Sequence, residues 1–236
     1  MCTKLIAFDL DGTLTQHKTP LEPANRAVLE QLSKKYRLLM VGAGSVRRIF
    51  DQLGGFPIDI IGNYGLQEGR CGPAGDIALV RDTAVDCDRK AVDRRMTALR
   101  RRFGYTEYTG ENVEFHASGC ITLPMLGTRA QAADKLAFDP DRSRRRLLLP
   151  AVQEAFPEYT AFVGGSSSFD LAPRPYNKYF ALSRYCQEHG IAHAETVYCG
   201  DDYGPGGNDE SVARSDIPFV GVDDYTRLGE YLRDFL

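Results

Sequence analysis

Short apolar runs at 5–8, 37–41 and 58–61 punctuate the first third of the chain. Leu5-Ile6-Ala7-Phe8 has no polar alternation, the pattern of a strand buried on both faces. Between the first two runs, residues 21–35 put Ala24, Val28, Leu29 and Leu32 on one helical face, with Pro23 near the start. Residues 46–53 read as a second helix, entered through the small-residue turn Gly42-Ala43-Gly44-Ser45. Strand and helix in alternation predict an α/β protein with a Rossmann-like parallel sheet.

Beyond residue 66 the period changes. Gly69, Gly72, Pro73 and Gly75 mark a turn-rich hairpin, and 88–103 carries the helical stripe Val92, Met96, Leu99, Phe103. Two short alternating runs, 113–116 and 120–124, predict antiparallel strands, followed by a helix across 144–156 and strands around 159–163 and 167–172. The α/β rhythm resumes with a helix over 176–189, a strand at 196–199, a loop over 200–209, a strand at 218–220 and a closing helix from Tyr225. The pattern therefore predicts a core domain, 1–81 with 173–236, split by an inserted α+β cap domain, 82–172.

The first strand delivers the chemistry. It ends in Asp9-Leu10-Asp11-Gly12-Thr13, and residues two apart in an extended chain point the same way. Two adjacent carboxylates repel unless a cation or a shared proton separates them, and Mg²⁺, a hard cation that takes carboxylate and phosphate oxygens, suits the pair. An ordinary Asp-Gly turn is the plain alternative. Against it stands a second apolar strand, Val197-Tyr198-Cys199, which ends in Gly200-Asp201-Asp202. If the two strands are neighbours, Asp201 completes an acidic cluster, with Asn208 and Asp209 of the following glycine-rich loop as supporting groups. Lys178, at the start of a predicted helix, is out of place for the helix dipole and is suited to steadying that cluster and a phosphoryl group.

Composition narrows the field. With 236 residues, 43% hydrophobic and 26% charged, the chain is ordinary globular material, and its formal charge of −3 argues against a nucleic-acid partner. No segment has the length of a membrane span, no signal-peptide pattern is present, and six scattered cysteines contain no C-x-x-C pair, so a cytoplasmic protein with reduced thiols is expected.

Taken together, these motifs resemble the haloacid dehalogenase (HAD) superfamily, and within it the eukaryotic-type phosphomannomutase branch with an α+β cap. The resemblance is carried by Phe8 to Thr15, Gln52-Leu53-Gly54, Asn63-Tyr64-Gly65-Leu66, Glu114-Phe115, Gly164-Gly165, Ser168-Phe169-Asp170, Lys178, Gly200-Asp201 and Pro205-Gly206-Gly207-Asn208-Asp209. It implies an Mg²⁺-dependent enzyme in which Asp9 is the nucleophile, Asp11 the general acid and base, and Lys178 an electrostatic partner. It further implies that the metal is held by Asp9, the Asp11 carbonyl and Asp201. Ser45, or backbone at Gly44, would hold a phosphoryl oxygen. The cap would close over the site and bring Ser168 and Asp170 to sugar hydroxyls. Members of this kind are often homodimers through the cap.

A mutase needs a second phosphate site, for which bidentate arginine is the suited side chain. Where that branch carries arginines, this chain has His116, Thr128 with Arg129 adjacent, Lys135, and Lys18 in the loop after the first motif. The departure favours a sugar-phosphate phosphatase. Phosphomannomutase, interconverting mannose 1-phosphate and mannose 6-phosphate, is the alternative, and a non-catalytic phosphosugar sensor ranks below both because Asp9, Asp11, Lys178 and Asp201 are all present.

Overall fold

The structure is a computed structural model and describes residues 2–236. The chain forms two compact units. The first runs to Thr83 and takes in Asn177–Gly204 and Asp209–Leu236, and the second comprises Ala84–Tyr176 with Pro205–Asn208.

In the first unit, β1 (Leu5–Phe8), α1 (Pro23–Leu32), β2 (Arg37–Val41), α2 (Val46–Gln52) and β3 (Asp59–Gly62) follow the predicted alternation. The hairpin β4 (Gln67–Cys71) and β5 (Ile77–Asp82) then extends the same sheet in antiparallel fashion. The Gly72–Gly75 turn makes this reversal cheap, whereas another parallel strand would need a full crossover. The sheet is therefore mixed and not wholly parallel.

The second unit contains α3 (Arg89–Phe103), β6 (Glu114–Phe115), β7 (Ile121–Pro124), α4 (Ala132–Phe138), α5 (Ser143–Ala155), β8 (Tyr159–Gly164) and β9 (Ser168–Pro173). Its antiparallel sheet has the order β6-β7-β9-β8. Asp88 caps α3 by accepting from the Ala91 N–H, and Gly104, in the left-handed region, ends it. Val92, Met96 and Leu99 of α3 pack with Leu149 and Val152 of α5 and with Ile121, Phe169 and Leu171 of the sheet. The segment Pro205–Asn208 joins this unit because Gly206 accepts a hydrogen bond from the Val163 N–H and lies against Leu149.

The chain returns to the first unit through α6 (Lys178–His189), β10 (Thr196–Gly200), α7 (Glu210–Ala213), β11 (Phe219–Gly221) and α8 (Leu228–Tyr231). The seven-stranded order is β11-β10-β1-β2-β3-β4-β5, with β10 and β2 parallel on either side of β1. Apolar side chains on its two faces form separate cores, one around Ile6, Phe8 and Met40 and the other around Ala7, Leu39 and Tyr198. The register pairs Phe8 with Cys199, so the carboxylates that follow both strands leave the sheet side by side.

Candidate active site

Asp9 is the first residue beyond β1, and its N–H donates to the Cys199 carbonyl at 2.9 Å, which locks it to the exit of β10. One carboxylate oxygen from each of Asp9, Asp201 and Asp209 lies within 4.8 Å of the others. Lys178 sits among them with no exposed surface, its Nζ donating to Asp9 Oδ1 and to Asp209 Oδ1, both at 2.7 Å. Its helix start is set by Asn177, whose side chain accepts from the Phe180 N–H. Asp209 is held in place by two further donors: the Tyr198 hydroxyl donates to its Oδ1 at 2.6 Å and the Asp202 N–H to its Oδ2 at 3.0 Å. Thr13 Oγ1 donates to Asp201 Oδ1 at 3.1 Å.

Two glycines make room for this packing. Gly12 has a φ of 101°, and a Cβ there would collide with the Asp201 carboxylate. At Gly200 a Cβ would collide with the carboxylate of Asp209.

The electrostatics follow from burial. Desolvation, with Asp209 and Asp201 close by, pushes Asp9 well above the usual carboxylate range against the pull of Lys178. Burial and Asp209 push Asp201 up to about 6. For Lys178 burial favours the neutral amine, but Asp209 and Asp9 outweigh it and hold the ammonium charged. Three carboxylates thus face one ammonium, and the two remaining negative charges are what a divalent cation would neutralise.

Asp11 is not part of this carboxylate group. Its Oδ1 accepts from Gln52 Nε2 and from the Lys18 N–H, both at 2.7 Å, and its Oδ2 faces Arg48 Nη2 at 3.5 Å. Burial alone would raise its pKa, but the Gln52 and Lys18 hydrogen bonds, with Arg48 and His17 nearby, hold it below the usual value. The two carboxylates of the opening motif therefore have separate surroundings. Asp209, expected only as a supporting group, belongs with Asp9 and Asp201.

The other predicted residues fall as follows. Lys18 meets Asp11 through its backbone, whose φ of 58° turns the N–H inward, while its side chain lies in exposed surroundings. Ser45 is the N-cap of α2, its Oγ accepting from the Arg48 N–H, and the Gly44 carbonyl accepts from the Asn63 N–H. In the second unit, His116 Nε2 is 3.0 Å from Thr122 Oγ1, which donates to Asp170 Oδ1 at 3.1 Å. Ser168 Oγ donates to the Gly164 carbonyl, and Lys135 Nζ to the Thr128 carbonyl. Arg129 is fixed at its backbone, N–H to the Thr109 carbonyl. Asn208 lies in the segment that groups with the second unit. Sequence reasoning gave no role to Gln52, Arg48 or Tyr198. The i, i+4 spacing of Arg48 and Gln52 in α2 puts the two on one helix face but gives no sign of their contact with Asp11.

No protein-family model matches the chain. A probable phosphomannomutase of Caenorhabditis elegans is 25% identical over 230 residues, covering 88% of this chain and 85% of that one. The phosphomannomutase of Encephalitozoon cuniculi is 23% identical over 256 residues, covering 97% and 93%. Among solved structures, a haloacid dehalogenase-like hydrolase from B. subtilis superposes with a TM-score of 0.63 at 19% identity over 99% of this chain and 100% of that one. An N-terminally truncated IMP-nucleotidase of Plasmodium falciparum gives 0.72 at 16% identity, over 100% and 70%. The chain shares its fold with those hydrolases and a sequence likeness over most of its length with the phosphomannomutases, and together with the Asp9–Lys178–Asp209 arrangement this supports an enzyme of the HAD superfamily near that branch.

Proposed function

We propose that the protein is an Mg²⁺-dependent phosphatase of sugar phosphates that works through an aspartyl phosphate on Asp9. The observation that carries this reading is the division of labour at the exit of β1. Asp9 is buried against a charged Lys178, while Asp11, two residues on, is held apart in its own hydrogen-bonded setting. An oxygen of Asp9 bonds to phosphorus as the ester P–O bond breaks, and Asp11 gives the leaving oxygen its proton. Water then bonds to phosphorus, the Asp9–phosphate bond breaks, and the water's proton returns to Asp11. Lys178 keeps the Asp9 carboxylate oriented throughout and offsets the charge around it. Asp9, Asp201 and Asp209, with the Asp11 carbonyl, are the groups proposed to hold Mg²⁺, which when bound supplies charge neutralisation to the transferring phosphoryl group.

Two arginines that could have formed a second phosphate site are spent on structure. Arg145 is fully buried, donating to Asp139 Oδ2 at 2.9 Å and to the carbonyls of Gly164, Gly165 and Ser168. Arg100, equally enclosed, donates to Asn112 and to the carbonyls of Tyr105, Pro124 and Met125. This supports water, and not a second sugar hydroxyl, as acceptor. Ser168, Asp170, His116, Arg129, Lys135 and Lys18 are proposed as substrate-binding groups, the first two for sugar hydroxyls. The likeness to named phosphomannomutases favours the second reading, a mutase acting on mannose phosphates.

Hydrolysis of p-nitrophenyl phosphate tests the shared chemistry. The protein is expected to release phosphate with Mg²⁺, to stop with EDTA, and to lose activity by roughly a thousandfold or more in Asp9→Asn. Full activity in that variant would overturn the reading.

A further inference from the structure

Gln52 closes α2, and its side-chain amide is used at both ends. Nε2 donates to Asp11 Oδ1 at 2.7 Å and to Thr15 Oγ1 at 2.9 Å, while Oε1 accepts from Arg48 Nη1 at 3.0 Å. The neighbours leave the amide one sensible orientation. A guanidinium can only donate and a carboxylate can only accept, so the oxygen must face Arg48 and the nitrogen Asp11. Arg48 lies one helical turn before Gln52 on the same face, and its guanidinium fills the space over Gly44 that any Cβ there would occupy. The Gln52 backbone adds a further tie: its carbonyl accepts from the Leu21 N–H at 3.0 Å, anchoring the loop whose Lys18 N–H is the second donor to Asp11 Oδ1.

With two short N–H donors, Oδ1 has no room to carry a proton toward a substrate. Oδ2 has only looser contacts, with Arg48 Nη2 at 3.5 Å and His17 Nδ1 at 3.9 Å. We infer that Gln52, oriented by Arg48, is the positioning residue of Asp11, pinning Oδ1 so that Oδ2 alone is presented for proton transfer. This rests on the reading of Asp11 as the general acid and base. Neither Gln52 nor Arg48 touches phosphorus in this scheme. Their contribution is to hold one rotamer of Asp11, whose misplacement by about 1 Å can cost two orders of magnitude in rate.

The leaving group separates this role from a merely structural one. A sugar alkoxide needs a proton to depart, whereas p-nitrophenolate does not, and kcat/KM reports the step in which the leaving group departs. In Gln52→Met, kcat/KM for mannose 6-phosphate is expected to fall roughly ten- to a hundredfold more than kcat/KM for p-nitrophenyl phosphate. Arg48→Met, at a half-exposed position, is expected to show the same selectivity with a smaller amplitude, and it keeps the test available should Gln52→Met fold poorly. Gln52→Asn, which keeps the amide but shortens its reach, should lie between the parent and Gln52→Met. Equal losses on both esters in Gln52→Met and Arg48→Met, or no loss on either, would overturn the inference alone. No reaction of the unaltered protein with either ester would overturn the reading of the site, and the inference with it.

Discussion

Asp209 accepts three hydrogen bonds, and Tyr198 supplies the shortest of them from a fully buried ring on β10. A carboxylate proposed to share a cation with Asp9 and Asp201 benefits from being held in one orientation, and partners of this kind commonly change metal affinity when removed. Tyr198→Phe removes one hydroxyl and almost no volume. It is expected to weaken Mg²⁺ binding roughly tenfold by titration calorimetry while leaving the thermal midpoint of the metal-free protein within a few degrees. Unchanged affinity would show that Lys178 and the Asp202 N–H suffice. The pH dependence follows from the same cluster. Asp201 titrates at about 6 in the folded chain, above its unfolded value near ~3.9. Acidification from neutrality through that range therefore relieves the cluster and stabilises the metal-free fold, and protons compete with metal. Mg²⁺ is expected to raise the melting temperature at about pH 8 and to have little effect at about pH 5. An equal shift at both values would argue that Asp201 is not a ligand. That Asp9, Asp201 and Lys178 converge was legible in the sequence, because motif spacing fixes where they leave a strand or begin a helix; that the Asp11 carboxylate turns away from Asp9 toward Gln52 and the Lys18 N–H was not. The contacts of Gln52 and Tyr198 were not, since a glutamine at a helix end and a tyrosine in an apolar strand are ordinary residues until their partners are known.

At the scale of elements, β1, β2, β3, α3 and β10 could be read because each carries an unbroken apolar run or a clean helical stripe. Helix α4 could not: none of its residues is buried, so it has no stripe to betray it. Helix α7 has four residues, too few for any period, and the closing helix reduces to a 3-10 turn at Tyr225–Arg227 followed by α8. Arg142, Arg144, Arg145 and Arg146 have the density of charge expected of a solvated helix face. Arg145 instead turns inward, and together with Asp139 it ties the start of α5 to the Gly164–Ser168 turn. That pair makes a sharp prediction at this scale. Asp139→Ala would leave Arg145 buried without its carboxylate and is expected to destabilise the protein by about 3–5 kcal/mol, measured by urea or thermal unfolding. A loss below about 1 kcal/mol would mean that the carbonyl partners alone satisfy the guanidinium.

For the whole molecule, the residues proposed for the chemistry at phosphorus, Asp9, Asp11, Lys178, Asp201 and Asp209, all reside in the first unit. In the proposed reading, the identity of the acceptor turns on residues of the second unit. There the residues that depart from the phosphomannomutase pattern are His116, Arg129 and Lys135, and the arginines that could compensate for them include two that are buried in hydrogen bonds. The measurement that bears most directly on the account is ³¹P NMR of mannose 1-phosphate incubated with the protein, Mg²⁺ and a trace of hexose 1,6-bisphosphate. The account predicts inorganic phosphate as the growing signal, with free mannose in equal amount. Mannose 6-phosphate as the main product would contradict it and establish the mutase.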